Sequence, residues 1–145
     1  MTKNTPSCNR AYYDNGHVFQ EVPYIGGKIT GTFREYHKNG ALSFENPMVD
    51  GMRHGTCKQW NEEGQLLGSY KMKMGTGFSK RWHPNGKLKF EAHLIKEIFN
   101  GRTRLWLESG KLKQETFQIA NRRVTKKQYD KACANNPTLP KYKDD

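Results

Sequence analysis

Five histidines (His17, His37, His54, His83, His93) and three cysteines (Cys8, Cys57, Cys133) are the side chains with the widest chemical reach in this sequence of 145 residues. Imidazole and thiolate can hold a metal, or together build a nucleophile and its base. Their spacing argues against both. The cysteines are odd in number, far apart and without a CxxC, so neither a disulfide framework nor a zinc site is indicated. Cys8–His17 and Cys57–His54 are the two pairs that could be imagined as nucleophile and base, and neither has a third group to orient the histidine. HExxH, P-loop, GxSxG and DxDxDG patterns are all missing. The expectation is a protein that is not an enzyme, with no catalytic residue, metal or cofactor.

Chemistry being thin, the elements that carry these residues become the question. The length suits one modest core. Mean hydropathy is −0.99, very polar, yet 7 Phe, 7 Tyr and 3 Trp are spread along the chain, which speaks against disorder. No apolar run approaches a membrane span, and the start Met1-Thr-Lys-Asn-Thr-Pro has no signal-peptide core, so a cytoplasmic location is expected.

A repeat organises the chain. Gly31, Gly55, Gly77 and Gly101 are spaced 24, 22 and 24 apart. Five residues after each stands an aromatic (Tyr36, Trp60, Trp82, Trp106), nine after each a second glycine (Gly40, Gly64, Gly86, Gly110), and eleven after each a leucine (Leu42, Leu66, Leu88, Leu112). The frame projects back onto Ser7, with Tyr12, Gly16 and Val18 in the same slots. Five units result: 7–30, 31–54, 55–76, 77–100 and 101–124. His37 and His83 share one slot, so their spacing follows the repeat.

Each unit reads as a β-hairpin. Asn-Gly tips occur at Asn15-Gly16, Asn39-Gly40 and Asn85-Gly86, and both residues of such a pair tolerate positive φ. Glycine-rich links join the units into a meander. Three residues into each unit the side chain is basic (Arg10, Arg34, Lys58, Lys80, Arg104); fourteen in, it is acidic (Glu21, Glu45, Glu91, Glu115) except at Ser69. With the tip centred between the eighth and ninth offsets, these positions face each other across the hairpin, where opposite charges contribute about 0.2–1 kcal/mol. That favours an internal ion-pair ladder over a nucleic-acid track. Strand alternation predicts the Tyr/Trp row on the face of this ladder, and the Leu row with Phe44 and Phe90 on the other. The aromatic row is read first as packing between units, with an exposed aromatic groove as the other reading. Stacked hairpins predict an all-β, elongated, open, single-layer antiparallel sheet, on the order of 50 Å long.

The repeat ends after Asn121-Arg-Arg-Val. Thr125-Lys-Lys-Gln128 is a capping box, and a short helix over 127–134 is expected to cover the last hairpin with Tyr129, Ala132 and Cys133. Asn135-Asn-Pro stops it. The chain thus divides into a tail (1–6), five hairpins (7–124), and a C-terminal capping helix with an extended tail (125–145).

A unit of the form G-x4-[YW]-x3-G-x-L-x2-E with a Gly-rich basic link resembles the MORN repeat, and is most similar to its short bacterial variant in YwqK-type antitoxin proteins. Gly31-Thr-Phe-Arg-Glu-Tyr-His-Lys-Asn-Gly40 and Gly77-Phe-Ser-Lys-Arg-Trp-His-Pro-Asn-Gly86 carry the resemblance best, and it covers residues 7–124. It departs at Ser7, at Ser69, and in the links after units three and four. The resemblance implies an open sheet used for binding or scaffolding, with a toxin-neutralising partner for some bacterial relatives and membrane-lipid contact for some eukaryotic ones. It transfers no catalytic residue.

Net charge is +11, and the excess is uneven. Residues 1–70 balance, with seven charges of each sign; residues 71–113 carry eleven basic side chains against three acidic ones. Such asymmetry concerns partners, not fold. It reads first as a solvated, solubilising surface; as a binding surface it suits an acidic protein, anionic lipid or, last, nucleic acid, since packing already explains the Trp slot. The expected function is stoichiometric protein binding by one face of the sheet, as an antitoxin or immunity-type protein neutralising a toxin or effector by occlusion. Trp60, Trp82 and Trp106 are the expected anchors, with Lys80, Arg81 and Arg104 beside them. The alternative is a membrane-surface scaffold binding anionic lipid. Open edges also allow a homodimer.

Overall fold

The computed structural model describes residues 5–143; residues 1–4 of the expected N-terminal tail and 144–145 of the C-terminal one lie outside it. Thirteen strands are followed by one helix: β1 (Ser7–Tyr12), β2 (Val18–Ile25), β3 (Lys28–Ile29), β4 (Gly31–Tyr36), β5 (Leu42–Val49), β6 (Met52–Arg53), β7 (Gly55–Trp60), β8 (Leu66–Met72), β9 (Gly77–Trp82), β10 (Leu88–Ile95), β11 (Ile98–Trp106), β12 (Leu112–Ile119), β13 (Arg122–Val124) and α1 (Lys126–Asn135). The fold is the all-β meander of antiparallel hairpins that the repeat requires. Its strands run in sequence order, β1-β2-β4-β5-β7-β8 and then β9-β10-β11-β12-β13.

The charge ladder stands in the expected register. Arg10 faces Glu21, Arg34 faces Glu45, Lys80 faces Glu91 and Arg104 faces Glu115. The ion pairs measure 2.8, 3.2, 3.7 and 2.6 Å. Pairing also crosses unit boundaries, setting Glu21 against Arg34, Glu45 against Lys58 and Glu91 against Arg104. Each of these acids therefore has a basic residue on both flanks. Tyr36 donates to Glu21 at 2.5 Å, which puts the aromatic row on the ladder face as alternation predicts.

The Leu row departs from expectation. Leu42 is the cross-strand partner of Tyr36, Leu66 of Trp60, Leu88 of Trp82 and Leu112 of Trp106, so the leucines share the ladder face. A β-bulge is the cause. One residue per unit, such as Ser43, is skipped in the register, and a skipped residue reverses the alternation on its tip side. Phe44 and Phe90, beyond the bulge, do lie on the opposite face.

The turns also differ from the Asn-Gly reading. In each tip the glycine N–H returns to the residue three before it, as in Gly40 N to His37 O at 2.9 Å, and only the glycine has positive φ. This is a type I turn with a glycine bulge. The two-residue turns with positive φ at both positions are the links instead: Gly26-Gly27, Asp50-Gly51, Met74-Gly75, Lys96-Glu97 and Ala120-Asn121.

The meander breaks once, between β8 and β9. The break coincides with the short 22-residue spacing. Elsewhere two residues after the link turn pair back on the preceding strand, as β3 does on β2. After Met74-Gly75 the isolated bridge Lys73–Thr76 takes the place of such a strand, so β9 starts before it can join the ladder. The two sheets then turn one face toward each other, and a cluster of Cys57, Met72 and Leu94 with Tyr70 and Phe99 fills the bend. A second cluster lies at the C-terminal end, where Tyr129 and Cys133 of α1 cover Phe117. The predicted capping box is formed: Thr125 Oγ1 accepts from Gln128 N, and Gln128 Oε1 from Thr125 N. The segment after α1 is not a free extended tail. Leu139 is buried, and Tyr142 accepts from Arg102 N at 3.0 Å while its ring lies 4.0 Å from the Arg102 guanidinium carbon.

Candidate functional site

The bend creates a concavity between the two sheets. Arg53, from β6, forms its floor. Its Nη2 donates to Glu97 Oε1 at 2.8 Å, and its Nη1 to Tyr70 Oη at 2.7 Å and Ser79 Oγ at 2.8 Å. Its Nε donates to Glu97 Oε1 and Oε2 at 3.2 and 3.1 Å, and Arg53 N donates to Glu97 Oε2 at 2.8 Å. One guanidinium thus fastens β6, β8, β9 and the link before β11. Burial alone would lower the Arg53 pKa, but the Glu97 carboxylate and Tyr70 outweigh it and raise it. Burial pushes the Tyr70 phenol and the Cys57 thiol up, so Cys57 is a packed, unreactive thiol.

Above this floor opens a groove of about 470 Å³, walled by Phe33 and Met48 from the first sheet and Ser79, Arg81 and Phe90 from the second. Arg81 leans across it, its guanidinium carbon 4.8 Å from the Phe44 ring centroid. Apolar walls with an exposed cation and a paired carboxylate can take up an extended polypeptide, and nothing in this set of groups positions a nucleophile.

The histidines and cysteines fall elsewhere. His37 Nε2 donates to Trp60 O at 3.0 Å and His83 Nε2 to Trp106 O at 2.8 Å, tying each hairpin to the next. His54 Nδ1 accepts from Met74 N, not from Cys57. Cys8 stands opposite Pro23 at the start of β1, whereas His17 lies at the tip beside Gly40. Among the described residues no three His, Cys, Asp or Glu gather as a metal would need.

The six residues singled out from the sequence do not form one patch. Trp60 and Trp106 are half-buried on the ladder face, where Lys80 and Arg104 are engaged with Glu91 and Glu115, and Trp82 is half-buried in the sheet break. Arg81 points to the opposite face, into the groove. Trp82 is the wedge of the sheet break: its ring covers Gly68, and Gln59 bridges the missing ladder by donating to Trp82 O at 3.0 Å and accepting from Trp82 N at 2.9 Å. Sequence reasoning missed Arg53, Glu97, Phe33 and Met48. Arg53 and Glu97 sit in links outside the matching columns, so periodicity carried no trace of their meeting.

Three stretches of the chain, residues 9–25, 53–73 and 77–96, match the family model described as MORN repeat variant. They fall on the β1–β2 hairpin, on β6 to β8, and on β9–β10. In these three stretches the chain is similar to that repeat variant, and the antiparallel hairpins there agree with the likeness. No curated protein matches the chain.

Proposed function

We propose that the chain is a non-enzymatic protein-binding repeat module that takes an extended segment of a partner protein into the groove between its two sheets, and neutralises that partner by occlusion in the manner of an antitoxin or immunity protein. The observation that carries this reading is the groove itself: half-buried Phe33, Met48 and Phe90 flank the exposed guanidinium of Arg81, an arrangement that suits an apolar segment bearing a carboxylate. Arg81 is the one member of the expected set that the groove keeps. In this reading Trp60 and Trp106, on the ladder face, and Trp82, whose ring covers Gly68 in the sheet break, stay outside the contact.

A second reading, a membrane-surface scaffold for anionic lipid, draws on Lys87, Lys89, Lys111 and Lys113, all exposed on the tip side of the fourth and fifth hairpins. Co-purification from the native host at low and high salt, with nuclease treatment, separates the two. A stoichiometric protein retained at high salt and lost with Arg81→Glu and Phe90→Ala supports groove binding. Capture of lipid or nucleic acid only, released at high salt, contradicts it.

A further inference from the structure

We propose that copies of this chain associate head to tail, the β1 edge of one copy pairing with the open half of β12 of the next, with Arg10 facing Glu115 across the junction. This rests on the sheet edges and not on the groove.

The two ends of the strand path are unlike and complementary. β1 is the first strand of a unit, and among the described residues β2 alone pairs with it; all six of its residues are exposed. At the other end, β12 is the second strand of a unit. β13 pairs with it only at Phe117, Gln118 and Ile119, and Lys111 to Glu115 are exposed. Twenty-four residues after Gly101 a sixth unit would begin, and its first strand would lie against this open half. At that point, Thr125, the chain turns into α1 instead. The vacant position therefore calls for a first strand, which is what β1 is. Unpaired strand edges of this kind template further pairing unless they are blocked.

Register and charge agree. Within the chain, every inter-unit junction except the break between β8 and β9 sets the residue at offset thirteen against offset four, and fourteen against three: Gln20 with Glu35 and Glu21 with Arg34, Phe44 with Gln59 and Glu45 with Lys58, Phe90 with Leu105 and Glu91 with Arg104. Carried across the proposed junction, this rule sets Gln114 against Ala11 and Glu115 against Arg10. The ladder runs from a basic end to an acidic end, so the next copy continues the alternation. The tips agree too. Lys87 Nζ reaches Ser109 O of the following tip at 3.1 Å. Lys111 holds the same slot, and the tip it would meet is Asp14-Asn15-Gly16. Two different surfaces meet, so the association is heterologous and open-ended rather than a closed dimer.

The test is disulfide trapping in the full chain. In a Cys8→Ser background, Ala11→Cys and Gln114→Cys are introduced together; both sites are exposed, so folding should be retained and is checked by circular dichroism. Mild oxidation is expected to give a reducible ladder of dimers, trimers and longer species on a non-reducing gel, while each chain with one introduced cysteine beside the buried Cys57 and Cys133 stays monomeric. Adding Arg10→Glu should lower the trapped fraction about threefold, and adding Glu115→Arg to that chain should restore it. Monomers only from the chain with both introduced cysteines overturn the proposal. Dimers from the Ala11→Cys chain alone overturn it equally, because they mean that β1 pairs with β1.

Discussion

Arg53 and Glu97, 44 residues apart, are joined by a 2.8 Å ion pair that closes the bend between the two sheets. Glu97 also holds φ near 64°, in the left-handed region that costs a side-chain-bearing residue about 1–2 kcal/mol. The bonds from Arg53 compensate that strain. Arg53→Met, which strands Glu97 and also loses Tyr70 and Ser79, is expected to lower stability by about 2–4 kcal/mol, less than a fully buried pair because both groups keep some solvent. Glu97→Gly should cost less than Glu97→Ala by about 1 kcal/mol, since glycine is free at this φ. Urea unfolding of the three variants measures both differences.

Gly68 tests the sheet break. A Cβ there would stand 2.3 Å from the Trp82 ring, while its φ is one that alanine adopts freely. Gly68→Ala therefore isolates a steric effect, with an expected cost of about 1–3 kcal/mol. In a Trp82→Leu background the same change should cost much less. Equal costs in the two backgrounds, read from a double-mutant cycle, would show that the wedge is not what Gly68 accommodates.

Glu21 predicts a pH dependence. The Tyr36 hydroxyl, followed by Arg10, holds its pKa below the ordinary 4.5. A carboxylate with a depressed folded-state value stabilises the fold fully above its unfolded value, and that contribution fades as pH falls through the folded value. Tyr36→Phe removes the larger cause. NMR titration should find Glu21 moving up toward 4.5 in that variant, and acid unfolding should begin at higher pH.

Asn85 tests the stacking of hairpin tips. Its Nδ2 donates to Glu108 O in the next tip and its Oδ1 accepts from Lys87 N in its own, both at 2.9 Å. Asn85→Asp keeps the second bond and loses the first; Asn85→Ala loses both. Stability should fall in that order, by roughly 1 kcal/mol per bond, in thermal melts.

The repeat frame, the ion-pair ladder and the Thr125–Gln128 capping box were legible in the sequence because each rests on residue types recurring at fixed offsets. The bulge was not: its slot holds Phe19, Ser43, Leu67, Lys89 and Lys113, which share no chemistry. Alternation without the bulge puts the Leu row on the face opposite the one it occupies. The break between β8 and β9 left two signs, the 22-residue spacing and Gly68, a glycine inside a strand where none of the turn slots falls. A glycine in a strand often marks the close approach of another group. The groove depended on the bend, and the bend on Arg53 meeting Glu97 two units away, a contact that repeat periodicity cannot encode.

The most direct test of the account places a photoreactive phenylalanine analogue at Phe90, in the groove, and separately at Trp106, on the ladder face, in the full chain expressed in its native host. Irradiation is expected to give one discrete protein adduct from position 90 and none from position 106. An adduct from position 106 alone, or none from either in cells where lipid extracts carry the chain instead, would contradict protein binding in the inter-sheet groove.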